Sequence, residues 1–168
     1  MSSAFLKNET ADAPVVIPAR APLPPGVTNY VTPRGLALLR QELADLEAER
    51  GATQHDPDES ERSRKLALIN GRVGALNQRI ASASVVDPAN QPHTEVRFGA
   101  TVTLHPKKGP DRILTIVGVD EADATHGRVA FTAPIARAMQ GKHIGDSVTL
   151  RTMKGEEIYS VTVIDYVN

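Results

Sequence analysis

Residues 32–46, which read TPRGLALLRQELADL, combine a helix start with an apolar seam. Thr32 is a good N-cap, and Pro33 occupies the first helical position, where its missing amide hydrogen costs nothing. Four leucines follow at spacings of three, four and three residues: Leu36, Leu39, Leu43 and Leu46. These spacings define a heptad seam, so the segment predicts a helix that packs against a partner helix.

A second seam follows after a short interruption. The apolar pattern resumes at spacings of three, four, three and four residues: Leu66, Ile69, Val73, Leu76 and Ile80. Two helices with one apolar seam each and a short connection pack antiparallel, because each then covers the stripe of the other. The sequence therefore predicts a coiled-coil finger over residues 30–84.

The second helix is expected to begin near Asp56. Asp56 is a capping residue type, Pro57 opens the first turn, and Glu59 occupies the capping-box position. A helix from about Pro57 to Ser82 would be roughly 39 Å long. The first helix is expected to be shorter unless Gly51 is bridged.

Different patterns flank the finger. Residues 1–29 carry five prolines between positions 14 and 25, so they are expected to form a disordered arm. Residues 85–96 are expected to be a linker, and residues 97–168 a small antiparallel β domain with one helix, Ala133–Gln140. Its strands are predicted from short apolar runs between Gly, Pro and Asp turns: Ala100–Leu104, Ile113–Val117, Arg128–Phe131, Ser147–Leu150 and Ile158–Ile164. The predicted fold class of the whole chain is α+β.

Composition excludes several classes of function. The 168 residues carry a formal net charge of -1, so no global field attracts polyanions. The absence of cysteine excludes a disulfide scaffold, a thiolate nucleophile and a Cys-based zinc site, and the five histidines show no metal-ligand spacing. No apolar run reaches the length of a signal peptide or a membrane span, so a cytoplasmic protein is expected.

The end of the finger is acidic. Asp56, Asp58, Glu59 and Glu61 could offer oxygen ligands to Mg²⁺ if a partner supplied the rest of the coordination shell. Alternatively, acidic residues in a first helical turn stabilise the unpaired amides and the positive end of the helix dipole. Both roles are compatible. No catalytic residue, metal or cofactor is expected to belong to this chain alone.

A candidate basic patch follows directly on the second helix. Arg62, Arg64 and Lys65 could meet phosphates of RNA or an acidic protein surface. The pairs Asp58–Arg62 and Glu61–Lys65 also have the i,i+4 spacing of ordinary helix ion pairs. No aromatic residues interleave with these charges, so no base-stacking platform is expected.

Several motifs occur in a specific order between residues 30 and 168. They are Tyr30–Gly35 followed by Leu39–Leu43, Phe98–Val102, Ile116–Asp123, Ala133–Ala138, Gly141-Lys142 with Gly145-Asp146, and Gly155-Glu156 with Ile164–Tyr166. In this order the chain resembles the GreA/GreB family of transcript cleavage factors. The resemblance implies a coiled coil that enters the secondary channel of bacterial RNA polymerase, and an FKBP-like C-terminal domain that grips the channel rim.

The resemblance also implies where the polymerase is contacted. The family's docking loop is similar to the segment formed by Thr132, Ala133, Pro134, Ile135 and Arg137. Thr132 and Ala133 stand where relatives often carry Asp and Ser. Pro134 is explained equally well as a helix-starting proline.

The finger departs from the family pattern. Relatives carry Gly-Asp-x-x-Glu-Asn-Ala-Glu/Asp-Tyr at the tip, and its acidic pair is thought to hold a second Mg²⁺ that activates water against backtracked RNA. That motif is absent here. The chain is also about two heptads shorter between the aligned flanks, one in each arm, which withdraws the tip by roughly 10 Å. Carboxylates bind such metals at about 2.0 to 2.6 Å. The resemblance therefore carries over no catalytic residue.

Three functions follow from these observations. The leading hypothesis is a monomeric regulator that binds RNA polymerase and occupies its secondary channel, near nascent RNA, without being an enzyme itself. The alternative is a cleavage factor whose tip carboxylates share Mg²⁺ with the polymerase active centre. A third hypothesis, an FKBP-like prolyl isomerase, is disfavoured because an isomerase pocket needs an aromatic and apolar lining. The domain offers few such residues: Phe98, Phe131, Tyr159 and Tyr166.

Overall fold

A computed structural model describes residues 14–166 and confirms the predicted α+β class. The described chain forms two compact units. The hairpin unit contains residues 14–20 and 39–81, and the β unit contains residues 21–38 and 82–166. Residues 1–13 of the predicted arm lie outside the described residues.

Two long helices build the predicted hairpin. Helix α1 spans Pro33–Thr53 and helix α2 spans Glu59–Ala81. The predicted cap of α1 is confirmed, because the hydroxyl of Thr32 accepts a hydrogen bond from the Gly35 amide at 2.9 Å. Helix α1 continues through Gly51, so the two helices are of similar length, 21 and 23 residues. The buried seam residues of the hairpin unit are Leu39, Leu46, Ile69, Val73 and Leu76.

The start of α2 differs from the prediction. The helix begins at Glu59, and its cap is Asp58, whose Oδ1 accepts from the Glu61 amide at 3.1 Å. The sequence holds two overlapping cap frames, each with a glutamate three residues after an aspartate. The second frame is used because Asp56 forms an Asx turn instead, in which its Oδ1 accepts from the Asp58 amide at 3.0 Å.

The β unit contains a five-stranded sheet in the order β5-β4-β3-β7-β6. Its strands are β3 (Thr101–Pro106), β4 (Arg112–Val117), β5 (Arg128–Ala130), β6 (Ser147–Thr152) and β7 (Gly155–Asp165). The predicted sheet was wholly antiparallel, whereas the observed sheet is mixed, because β5 runs parallel to β4. A crossing connection that includes the 3₁₀ turn Ala124–His126 brings the chain back before β5 begins, so a tight hairpin is not formed there.

A second, two-stranded sheet was not predicted. Strand β1 (Asn29–Val31) pairs in parallel with β2 (Ala83–Val85), so that the residues just before α1 lie beside those just after α2. Strands of three residues are too short to show an alternating apolar pattern. Tyr30 then contacts Phe98 and Phe131, with ring centroids 5.7 and 5.6 Å apart.

The core of the β unit lies between the sheet and a short helix, α3 (Pro134–Met139). Ala136 and Met139 of this helix are fully buried. Val96, at the end of the segment predicted as a linker, is also fully buried, and its amide donates to the Lys142 carbonyl at 2.8 Å. Val96 therefore packs into the same core as α3, and its hydrogen bond joins the segment before β3 to the residues that follow α3.

Candidate functional site

The tip loop, residues 54–58, connects α1 to α2 and is organised around Asp56. One carboxylate oxygen of Asp56 accepts from the Asp58 amide, and the other accepts from Lys65 Nζ at 3.1 Å. The amide of Asp58, and then the ammonium of Lys65, hold the pKa of Asp56 below its usual value. The same contact with Asp56 raises the pKa of Lys65. Asp56 is therefore a charged residue that ties the loop to α2.

The other three predicted tip carboxylates have different surroundings. Asp58 is occupied as the α2 cap, while Glu59 and Glu61 are exposed in the first turn. Glu61 Oε2 lies 3.8 Å from Lys65 Nζ, which confirms the expected i,i+4 pair. Among residues 14–166, no group of three or more His, Cys, Asp or Glu side chains is arranged to hold a metal ion. The tip carboxylates therefore form no such group by themselves within the described part of the chain.

The candidate basic patch is partly engaged with the tip loop. Arg62 Nη1 donates to the backbone carbonyl of Asp56 at 2.9 Å, and Lys65 binds the Asp56 carboxylate. Two of the three predicted cations therefore contact the tip loop, and Arg64 is exposed on the surface of α2.

The docking segment, residues 132–137, leads from β5 into α3. Pro134 begins the helix, and the preceding Ala133 supplies no side-chain cap, because alanine has no acceptor. Pro134 and Arg137 are exposed, while Thr132, Ala133 and Ile135 are half-buried. The segment thus presents a proline and an arginine on a rigid support.

A groove of about 580 Å³ lies beside the docking segment. Its lining combines apolar side chains with charged residues at the rim: Arg112, Pro134, Ile135, Ala138, Thr149, Leu150, Arg151, Thr152 and Glu156. The groove joins α3 to strand β6 at the edge of the sheet. Of the predicted docking residues, Pro134 and Ile135 line it.

One charged cluster was missed by sequence reasoning. The anchor cluster consists of Glu121, Thr32 and Arg34 in the β unit. Glu121 is 7% exposed, and its carboxylate accepts from the Thr32 hydroxyl at 2.5 Å and from Arg34 at 2.9 Å. A Cβ on Gly35 would lie 2.9 Å from Glu121 Oε1, so the carboxylate sits directly on the first turn of α1. The acidic Asp-Glu-Ala-Asp run gave the available signal, although its partner residues are almost 90 positions away.

None of the helices within residues 14–166 is long and apolar enough to cross a membrane.

Comparison with known proteins gives a more specific result. The family model "Transcription elongation factor, GreA/GreB, C-term" matches residues 91–166.

Curated relatives extend this match into the hairpin. The transcription elongation factor GreB of Neisseria meningitidis serogroup B is 31% identical over 154 residues, which cover 83% of this chain and 94% of the relative. The GreA factors of Nitratiruptor sp. and Hyphomonas neptunium are 38% and 39% identical over 103 residues. Those matches cover 61% of this chain, and they span 63% and 66% of the two relatives.

A solved structure gives a broader alignment at lower identity. The crystal structure of the GreA factor homolog 1 (Gfh1) protein of Thermus thermophilus aligns over 83% of this chain and 99% of that chain, with 21% identity and a TM-score of 0.40. The GreB match is long enough on both chains to show common family membership. The chain therefore belongs to the GreA/GreB family of transcription elongation factors.

Proposed function

We propose that this protein binds bacterial RNA polymerase and regulates elongation by occupying the secondary channel with its helical hairpin, without driving efficient RNA cleavage. The protein is then an effector of the polymerase and has no catalytic centre of its own. Family membership supports the polymerase as the partner. The observation that carries the choice of occupancy is the engagement of Asp56 and Asp58 within the tip.

The tip carboxylates have competing partners inside the chain. A metal that bound Asp56 would compete with the ammonium of Lys65, which lies 3.1 Å away, and with the amide of Asp58. Binding to Asp58 would expose the first-turn amides of α2, and loss of such a cap costs about 1 kcal/mol. Glu59 and Glu61 remain accessible, but they lie on the first turn of a helix, where their charge already stabilises the dipole.

The β unit supplies the proposed polymerase contact. Pro134 and Arg137 project from α3, and the apolar groove beside them offers a seat for a side chain of the partner. Arginine is enriched among the interface residues that dominate binding energy. Arg137 is therefore the proposed electrostatic contact, and Ile135 the proposed apolar one.

Binding is tested by the affinity of the full chain for core RNA polymerase. Arg137→Glu is expected to weaken binding at least about tenfold, which corresponds to about 1.4 kcal/mol. Lys108→Glu is the matched charge reversal, because Lys108 is exposed in the β3–β4 connection and does not line the groove. Equal affinity of the two variants, or no binding by the unmodified chain, would refute the proposed docking segment.

Occupancy is separated from cleavage by backtracked elongation complexes. The protein is expected to release few or no short 3′ RNA fragments alone, and to inhibit the fragments released by a GreA factor. A variant that carries Asp56→Asn, Asp58→Asn, Glu59→Gln and Glu61→Gln should compete as well as the unmodified chain if it remains folded. Efficient release of fragments that this fourfold variant abolishes would favour the cleavage alternative instead.

A further inference from the structure

An extended segment of the arm lies within the hairpin unit. Residues 14–20 form no helix or strand, and they belong to the same compact unit as α2 and residues 39–53 of α1. The first of these residues share a groove of about 340 Å³ with the tip-proximal turns of α2. The lining residues are Pro14, Val15, Val16, Glu61, Arg64, Lys65 and Leu68.

The middle of the segment crosses α2 at Gly71. A Cβ on Gly71 would overlap Ile17 Cδ1 and would come within 2.7 Å of Ile17 Cγ1, which is closer than real side chains approach. Gly74, one turn further along the same helix, has nothing within 4 Å of its Cβ position. Glycine is unfavourable inside a helix, so Gly71 has a steric reason to be present that Gly74 lacks.

The end of the segment reaches α1. The two terminal guanidinium nitrogens of Arg20, Nη1 and Nη2, donate to the carboxylate of Glu42, and one of these contacts is 3.4 Å long. The Arg20 side chain is 21% exposed and the Glu42 side chain 45%, so the ion pair is only partly shielded from solvent. Between residues 14 and 20 the chain therefore contacts α2 first and α1 last.

We propose that residues 14–20 form a strap that packs across both helices and stabilises the hairpin. Two helices with one seam bury little apolar surface, and short isolated helices are marginal in water. A third element that contacts both helices adds an apolar contact at Ile17, which remains 43% exposed, and an ion pair at Glu42. This inference is independent of polymerase binding, because all of its contacts lie within the hairpin unit.

Docking of the strap is tested by disulfide formation. The chain has no cysteine, so an Ile17→Cys, Gly71→Cys variant carries only the introduced pair. Ile17 Cγ1 and Cγ2, which lie 2.7 and 3.4 Å from the Gly71 Cβ position, are both bonded to the Ile17 Cβ, so the two Cβ atoms lie close enough for a disulfide. The matched control is Ile17→Cys, Gly74→Cys. The first pair should oxidise about tenfold faster or more, because only it has the required Cβ approach, and equal rates would overturn the proposal.

Stability of the hairpin gives a second test that needs no oxidation. Gly74→Ala should raise the melting temperature of the hairpin by about 4–8 °C, because alanine favours the helix. Gly71→Ala should give less than this gain or lower the melting temperature, because the new methyl group displaces Ile17. Ile17→Ala should cost less stability in the Gly71→Ala background than in the unmodified chain, because it also relieves the overlap with the new methyl group. Equal gains from both single substitutions would show that the strap is not docked.

Discussion

Replacing Glu121 by alanine is expected to destabilise the β unit by about 2–3 kcal/mol. The carboxylate is buried and accepts two hydrogen bonds, and a hydrogen bond to a charged group contributes about 1.5–3 kcal/mol. The bond from Thr32 is fully buried and is assigned that range. The Arg34 side chain is 51% exposed, so solvent screening limits its contribution to below about 1 kcal/mol. Glu121→Gln keeps the shape and an acceptor for Thr32, and should cost about 1 kcal/mol.

The measurement is urea unfolding followed by two signals. The chain has no tryptophan, and its three tyrosines, at positions 30, 159 and 166, all belong to the β unit. Tyrosine fluorescence therefore reports the β unit, while ellipticity at 222 nm is dominated by the two long helices. Arg34→Ala is the control, with a loss below about 1 kcal/mol. If Arg34→Ala costs as much as Glu121→Ala, or if Glu121→Ala leaves the fluorescence transition unchanged, the anchor cluster does not have the role argued for it.

Three further predictions concern other parts of the chain. Gly118→Ala should destabilise the β unit by about 1–3 kcal/mol in the same unfolding assay, because its Cβ would lie 2.6 Å from the backbone carbonyl of Tyr30, which cannot move away as a side chain can. Tyr166→Phe should cost about 1–3 kcal/mol, since its hydroxyl donates to one backbone carbonyl and accepts from one backbone amide of the segment before β3. The pKa of Asp56 is lowered in the folded chain. Its contribution to stability is therefore complete above about pH 3.8, the ordinary pKa of the carboxyl group, and is lost as the pH falls further. Lys65→Met should raise the pKa of Asp56 toward 3.8, measured by carboxyl NMR titration, and an unchanged pKa would show that the ion pair is unimportant.

The helices were predictable because their information is local and repeated. A heptad seam indicates the extent and the partner face of each helix within a few turns of sequence. The short connection between the helices then indicates antiparallel packing. The cap of α1 was equally local, since Thr32 and Pro33 are adjacent. The predicted cap of α2, Asp56, lies two residues before the observed cap, Asp58, because the two aspartates are chemically equivalent candidates. The choice between them depends on the Asx turn, which no local preference reveals.

The contacts of the candidate site were less predictable because they join distant residues. Lys65 was expected to pair within the helix with Glu61, and it does, yet it also binds Asp56 nine positions away. Arg62 was expected to pair with Asp58, whereas it donates to the backbone carbonyl of Asp56. A backbone acceptor in a loop carries no sequence signature. The partners of Glu121 are farther still along the chain, so only the folded β unit brings them together.

The parallel pairing of β1 and β2 has a consequence for how the length of the helical hairpin can change. Strand β1 ends at Val31, just before α1, and β2 begins at Ala83, just after α2, and these two strands are hydrogen-bonded neighbours. Everything between them is an insertion with adjacent ends. Heptads can therefore be added or removed in matched pairs, one in each helix, without altering the register of either strand. Evolution can adjust how far the hairpin extends while the sheet that carries it stays the same.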